Sequence, residues 1–170
     1  VVGLGNRGVT PDSLGPRVAE RVFVTRHIKE HMPEAFDFDI PSVCAIAPGV
    51  LGVTGVETMD IVFGVANKVK PDLIIAVDAL ASRRAARIST TIQLSDSGIS
   101  PGSGVGNTRA DLSRANLGVP VIAVGVPLVV YASTISQDTI SLIADETGLH
   151  GDEERLRELA EQVLSLIHIS

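Results

Sequence analysis

The sequence predicts an α/β fold, a three-layer α/β/α arrangement with a mostly parallel sheet, and three observations predict it. Residues 73–77 (LIIAV) and 119–126 (VPVIAVGV) are near-continuous apolar runs, the pattern of strands covered on both faces. Between such runs the apolar residues recur at helical spacing, as at Met59, Val62, Phe63, Ala66 and Val69. Sixteen glycines and nine prolines punctuate the 170 residues, which suits many tight connections between alternating strands and helices.

Taken in order, residues 1–4 read as a short apolar strand, and residues 5–10 as a turn. Pro11 suits the first turn of a helix, because its missing N–H is not needed there; Thr10 is the expected N-cap. That helix is predicted to run to about Lys29, with Leu14, Val18, Val22 and Phe23 on its core face. Residues 36–40 alternate and residues 42–46 are apolar, so both suit strands. A glycine-rich loop at 48–55 leads into Thr54-x-x-Glu57, a capping-box pattern expected to start a helix ending near Lys70. After the strand at 73–77, residues 90–94 alternate like an edge strand, and a long loop follows at 95–107. Residues 119–126 form the next buried strand, 136–147 a helix, and 153–167 an amphipathic helix carrying Leu156, Leu159, Ala160, Val163, Leu164 and Ile167.

The hydrophobic share is 45% but the aromatic share only 3%, with no Trp, so the core is aliphatic. Residues 1–170 are long enough for a single α/β domain with a sizeable core. A net charge of −6 gives no support for direct nucleic-acid binding or for an anionic membrane surface. No apolar run approaches membrane-spanning length, and the single Cys44 can form no internal disulfide, so a reducing cytoplasmic compartment is the simplest expectation. The chain opens directly on a core strand without an initiator Met. It is therefore expected to be a fragment, and the closing SLIHIS fits the preceding helix poorly.

Several motifs invite a functional reading and resist it. Gly3-x-Gly5-x-x-Gly8 matches the dinucleotide fingerprint, but that fingerprint needs the helix to begin at the glycines, and here it is expected only at Pro11. A non-catalytic dinucleotide-binding module stays an alternative; glycines making a tight turn are the better reading. Gly98-x-Ser100-x-Gly102 resembles a nucleophile elbow, yet the residue after the serine is Pro101, which has no N–H to give an oxyanion. His27 and His31 stand at i, i+4, among Arg26, Lys29 and Glu30, and read as the solvated end of a helix rather than a metal site. Cys44 reads as a small core hydrophobe.

Two aspartates carry the main chemical expectation. Asp12 lies just inside the start of a helix that follows a strand, and Asp78 at the end of another strand. If both strands are parallel members of one sheet, the carboxylates emerge at the edge where open α/β sheets bind ligands. Two acids in one cleft can share a proton and activate water. On spacing alone Asp12 can equally complement a helix dipole and Asp78 cap a turn, and the residues do not decide.

The strings GLGNRGVTPDSLGPRV, APGVLGVTGVET, IIAVDALASR, TIQLSDSGISPGSGVGN and LGVPVIAVGVP, in this order, closely resemble the germination protease family of spore-forming bacteria. The resemblance spans roughly residues 1–139. It implies an atypical aspartic endopeptidase that degrades small acid-soluble spore proteins in the germinating spore, in the cytoplasm of the spore core. It also implies a zymogen with an N-terminal propeptide, a homotetramer, no cofactor and no metal, and a fold similar to that of the hydrogenase-maturation endopeptidases. By motif, the catalytic aspartates fall on Asp12 in TPDSLGP and Asp78 in AVDALASR. Where the resemblance leads one to expect Asp after the Val-Val pair, this chain has Tyr131.

Around the pair, Asn6, Gly49, Thr54, Arg83, Asp96 and Asn107 are candidates for binding substrate or supporting the site. The 48–55 loop can present backbone N–H groups to an oxyanion, or be a simple connection. Arg83, Arg84 and Arg87 can meet acidic substrate side chains, or form a solvated basic turn. A metal-dependent maturation endopeptidase on the same fold is the other alternative; the lack of any His between His31 and His150 counts against it.

Overall fold

The structure is a computed structural model, and it describes residues 1–32, 34, 40–101, 110–147, 154–156, 158 and 162. Its described elements, in order, are β1 (Val2–Gly3), a 3-10 turn (Thr10–Asp12), α1 (Leu14–Ala19), α2 (Arg26–His31), α3 (Leu51–Thr54), α4 (Thr58–Val69) and β2 (Ile74–Ser82). A second 3-10 turn (Ala85–Arg87), β3 (Gln93–Ser95), α5 (Arg114–Leu117), β4 (Val121–Val130) and α6 (Ala132–Thr147) complete them. The four strands form one mixed sheet in the order β1-β2-β4-β3, so the protein is α/β. β1 runs parallel to β2, with Val2 opposite Ala76 and Gly3 opposite Val77, whereas β3 is antiparallel to β4.

The chain divides into two compact units: Val1–Leu80 with Ile92–Val126, and Ala81–Thr91 with Pro127–Ser170. The first holds the aliphatic core, in which Val2, Leu4, Val62, Ile74, Ala76, Leu112, Leu117 and Val121 pack together. Successive side chains of a strand point to opposite faces. Val2 therefore meets Val62 of α4 on one face of β1, while Gly3 faces Gly15 and Ala19 of α1 on the other. Helices thus flank both faces of this strand. In the second unit the Ala85 N–H donates to Asp138 of α6 at 2.9 Å, which ties the 3-10 turn to that helix.

Several elements differ from the expectation. The single helix from Pro11 to Lys29 is broken into a 3-10 turn, α1 and α2. Val9, not Thr10, occupies the first cap, and Pro16 has no N–H for the carbonyl of Asp12. After Ala19 the chain tightens, with Arg21 donating to the Val18 carbonyl, and Phe23 is left 73% exposed rather than packed in the core. Thr25 restarts the helical path by clamping onto the 41–43 segment: its N–H and that of Arg26 reach the Val43 carbonyl at 2.9 Å, and its hydroxyl accepts the Val43 N–H.

The 42–46 strand reduces to one parallel bridge between Ile46 and Val2. Residues 36–39 of the other proposed strand lie outside the described residues, as do 102–109 of the long loop. Thr54 does not cap the following helix. It ends α3, its hydroxyl bonds within 50–56, and Gly55 turns left-handed at φ 72° before Glu57 caps α4. Phe63, expected on the core face of α4, is 45% exposed. β2 and β4 run longer than the apolar runs that announced them, and β3 sits at the sheet edge shifted by one to three residues. Of the expected helix at 153–167, only Glu154, Arg155, Leu156, Glu158 and Gln162 are described, and all five are helical.

Candidate active site

The site begins with the pairing of β1 and β2. Gly3 lies opposite Val77, and the Leu4 N–H donates to the Val77 carbonyl at 2.8 Å. The pairing of β1 with β2 therefore stops at Val77, where β1 gives way to the Gly5 turn; β2 itself runs on to Ser82, so Asp78 lies within that strand and not at its end as expected, because the strand is longer than its apolar run. Asp78 and the Gly5 turn both come directly after the last residues of the parallel β1–β2 pairing.

Two glycines then bring Asp12 back to that end. Gly15, in the first turn of α1, rests on backbone: a β-carbon there would lie 2.2 Å from the Leu4 carbonyl oxygen and 2.5 Å from that of Val77. Gly5 adopts φ +109°, and a β-carbon on it would lie 2.1 Å from the Asp12 carbonyl oxygen and 2.8 Å from Asp12 Oδ1. Only a residue without a side chain fits either position. Gly5 and Gly15 were not among the expected site residues. The signal that could have found Gly15 is a glycine inside a helical pattern, which commonly marks close packing.

The two carboxyls differ in surroundings. Asp12 is half-buried, and its Oδ2 accepts the Asn6 N–H at 2.6 Å. Burial raises its pKa above the ordinary 3.8, and the Asn6 hydrogen bond opposes that rise. Asp78 is only 4% exposed and accepts the N–H of its neighbour Ala79 at 2.8 Å. Burial pushes its pKa up to about 7; the Ala79 bond opposes this, and the negative charge of Asp12 adds to it. The burial of Asp78 and the negative charge of Asp12 thus favour a proton on Asp78 near neutral pH. A pair so arranged has one carboxylate to take a proton and one carboxylic acid to give a hydrogen bond.

Of the supporting candidates, the structure joins Asn6 directly to Asp12. Gly49 and Thr54 belong to the turn before α4, where the Gly49 carbonyl accepts the Thr58 hydroxyl at 3.1 Å and Thr54 bonds to Val50 and Val56. Asp96 is exposed between Ser95 and Ser97, whose hydroxyls lie 2.6 Å apart. Arg83, Arg84 and Arg87 are exposed in the second compact unit, and Asn107 lies outside the described residues. The glycines of the nucleotide-like fingerprint face the chain itself, Gly3 against α1 and Gly5 against Asp12.

Among the described residues, no three His, Cys, Asp or Glu side chains gather into a metal-holding group, and no helix is long and apolar enough to cross a membrane. A cavity of about 360 Å³ opens at the opposite end of the strands, lined by Val1, Cys44, Val62, Leu73 and Ile74 among others. Its lining is mainly apolar and includes neither aspartate.

A family profile described as germination protease matches residues 1–167. The germination protease of Caldanaerobacter subterraneus is 61% identical over 146 residues, 86% of this chain and 45% of its own length. That of Clostridium tetani is 54% identical over 155 residues, 91% of this chain and 48% of its own, and that of Bacillus cytotoxicus 55% over 148 residues, 87% and 40%. The chain spans about half the length, or less, of these curated relatives. With a profile match running almost from end to end, the chain belongs to the germination protease family.

Proposed function

We propose that the protein is an aspartic-type endopeptidase of spore germination, with Asp12 and Asp78 as its catalytic acids and small acid-soluble spore proteins as its substrate. The observation that carries this reading is the proximity of two carboxyls where the β1–β2 pairing stops, close enough that the charge of Asp12 helps to keep a proton on Asp78. The unequal burial of the two carboxyls supports the following roles. Asp12, ionised, takes a proton from water as the water oxygen bonds to the scissile carbonyl carbon. Asp78, protonated, gives its hydrogen to the carbonyl oxygen, so a neutral tetrahedral diol forms. On collapse a diol hydroxyl returns a proton to Asp78, the C–N bond breaks, and Asp12 delivers its proton to the leaving nitrogen. Both carboxyls regain their starting states, and one water has been added across the peptide bond.

The finer features implied by the resemblance belong to the same proposal. They are a three-layer fold related to the hydrogenase-maturation endopeptidases, a single domain over 1–170 that forms part of a longer zymogen, a homotetramer, and residence in the spore core. Arg83, with Arg84 and Arg87, offers positive charge for acidic side chains of the substrate, and Asp96, Gly49, Thr54 and Asn107 remain proposed supports.

The test is cleavage of a small acid-soluble spore protein by the wild type and by the Asp12→Asn and Asp78→Asn variants, with and without a chelator. Each substitution is expected to lower the rate roughly 10²- to 10⁴-fold, and chelation to leave the wild type unchanged. Wild-type rates in both variants would remove the aspartates from the chemistry. Loss of activity with chelator alone would favour the metal-dependent alternative.

A further inference from the structure

The turn that precedes Asp12 is closed by hydrogen bonds running in a ring. Asn6 Oδ1 accepts the Gly8 N–H at 2.9 Å, two residues ahead, which is an Asx-turn. The Asn6 carbonyl accepts the Val9 N–H at 3.1 Å, and the Val9 carbonyl accepts the Asp12 N–H at 2.9 Å. The Asp12 carboxylate then returns to Asn6, taking its N–H at 2.6 Å. Asn6 therefore contributes three groups: its side chain folds the turn, its carbonyl continues it, and its N–H holds the acid. Gly5 supplies the space, since a β-carbon there would come 2.8 Å from Asp12 Oδ1.

We propose that Asn6 is a positioning residue for the carboxyl pair: its side chain fixes the Gly5–Gly8 turn so that its own N–H grips Asp12 Oδ2 and leaves Oδ1 for the reaction. This rests on the reading of Asp12 as a catalytic acid. Asn6 acts on the chemistry only through Asp12. A hydrogen bond from a fixed N–H favours the ionised carboxylate and restricts its rotation, and both effects suit the partner that removes a proton from water. A side chain that cannot fold the turn leaves that N–H unaimed, although the N–H itself is still present. A serine, whose hydroxyl accepts the same i+2 N–H in an ST-turn, restores the aim.

The experiment compares wild type with Asn6→Ala and Asn6→Ser, following the Asp12 carboxyl by ¹³C NMR from pH 2 to 9 alongside kcat and KM for cleavage. In Asn6→Ala the Asp12 midpoint is expected to rise by about half a pH unit or more. Its kcat is expected to fall roughly tenfold with little change in KM. Asn6→Ser is expected to return both toward wild type. An unchanged Asp12 midpoint in Asn6→Ala overturns the proposal. So does an equal displacement in Asn6→Ser, or a collapse of the fold in Asn6→Ala, which would assign Asn6 to stability instead. The NMR arm is independent of cleavage: full activity in Asp12→Asn would end the catalytic reading while leaving the coupling of Asn6 to Asp12 to be judged on its own titration.

Discussion

Asp78 keeps its proton in the folded chain up to about pH 7, whereas an unfolded aspartate loses it near 3.8. Between these values the folded state binds more protons than the unfolded state, so stability falls as pH rises through the window and levels off above about 7. At 1.36 kcal/mol per pH unit, the ionised and buried carboxyl costs on the order of 2–4 kcal/mol. Asp78→Asn is therefore expected to be more stable than wild type by that order at pH 8, with the difference shrinking toward pH 4. Urea unfolding at the two pH values checks this, and a wild type that gained stability relative to the variant on going to pH 8 would contradict it. The two acids were singled out in the sequence by the motifs around them. Their inequality was not legible there, because the burial of Asp78 arises from contacts remote in sequence and the Asn6 N–H meets Asp12 only once the intervening turn has closed. Asn6 stood among the supporting candidates; what the structure adds is that its backbone, oriented by its side chain, makes the contact.

The elements explain how a spacing of dozens of residues becomes one site. Leu4 pairs with Val77, and α1 sits on that pair through Gly15, so the end of β1, the start of α1 and Asp78 are held together by backbone contact. Gly15→Ala would force a β-carbon to 2.2 Å from the Leu4 oxygen and 2.4 Å from its nitrogen. Because neither neighbour is a movable side chain, a loss of about 3 kcal/mol in unfolding free energy is expected, together with loss of cleavage. By contrast Leu94 is 72% exposed on edge strand β3, and it pairs with Val124. Leu94→Thr is expected to change stability by less than about 0.5 kcal/mol in the same denaturation assay. β2 and β4 were readable as strands because continuous apolar runs have few other uses, although in β4 the burial alternates and Ile122 and Val129 are exposed, so it is not covered on both faces as expected. The break after Ala19 was not readable, because Leu14, Val18 and Val22 continue a helical spacing across it. What sets the second start, at α2, is Thr25 engaging Val43, a contact no local pattern announces. The capping box at Thr54 failed for a related reason: Gly55 turned left-handed and closed a short helix before α4 began.

At the scale of the whole molecule, the first compact unit contains both aspartates, the Gly5–Gly8 turn and the aliphatic core, while the exposed Arg83, Arg84 and Arg87 lie in the second. The chain carries a net charge of −6. Family membership joins this architecture to the germination proteases. The central claim, that one proton shared between Asp12 and Asp78 drives hydrolysis, is tested most directly by the pH dependence of kcat for cleavage of a small acid-soluble spore protein. The account predicts a bell-shaped profile. Its acid limb follows protonation of Asp12, and its alkaline limb falls near pH 7 as Asp78 loses its proton. A rate that stayed level or climbed from pH 6 to pH 9 would contradict it.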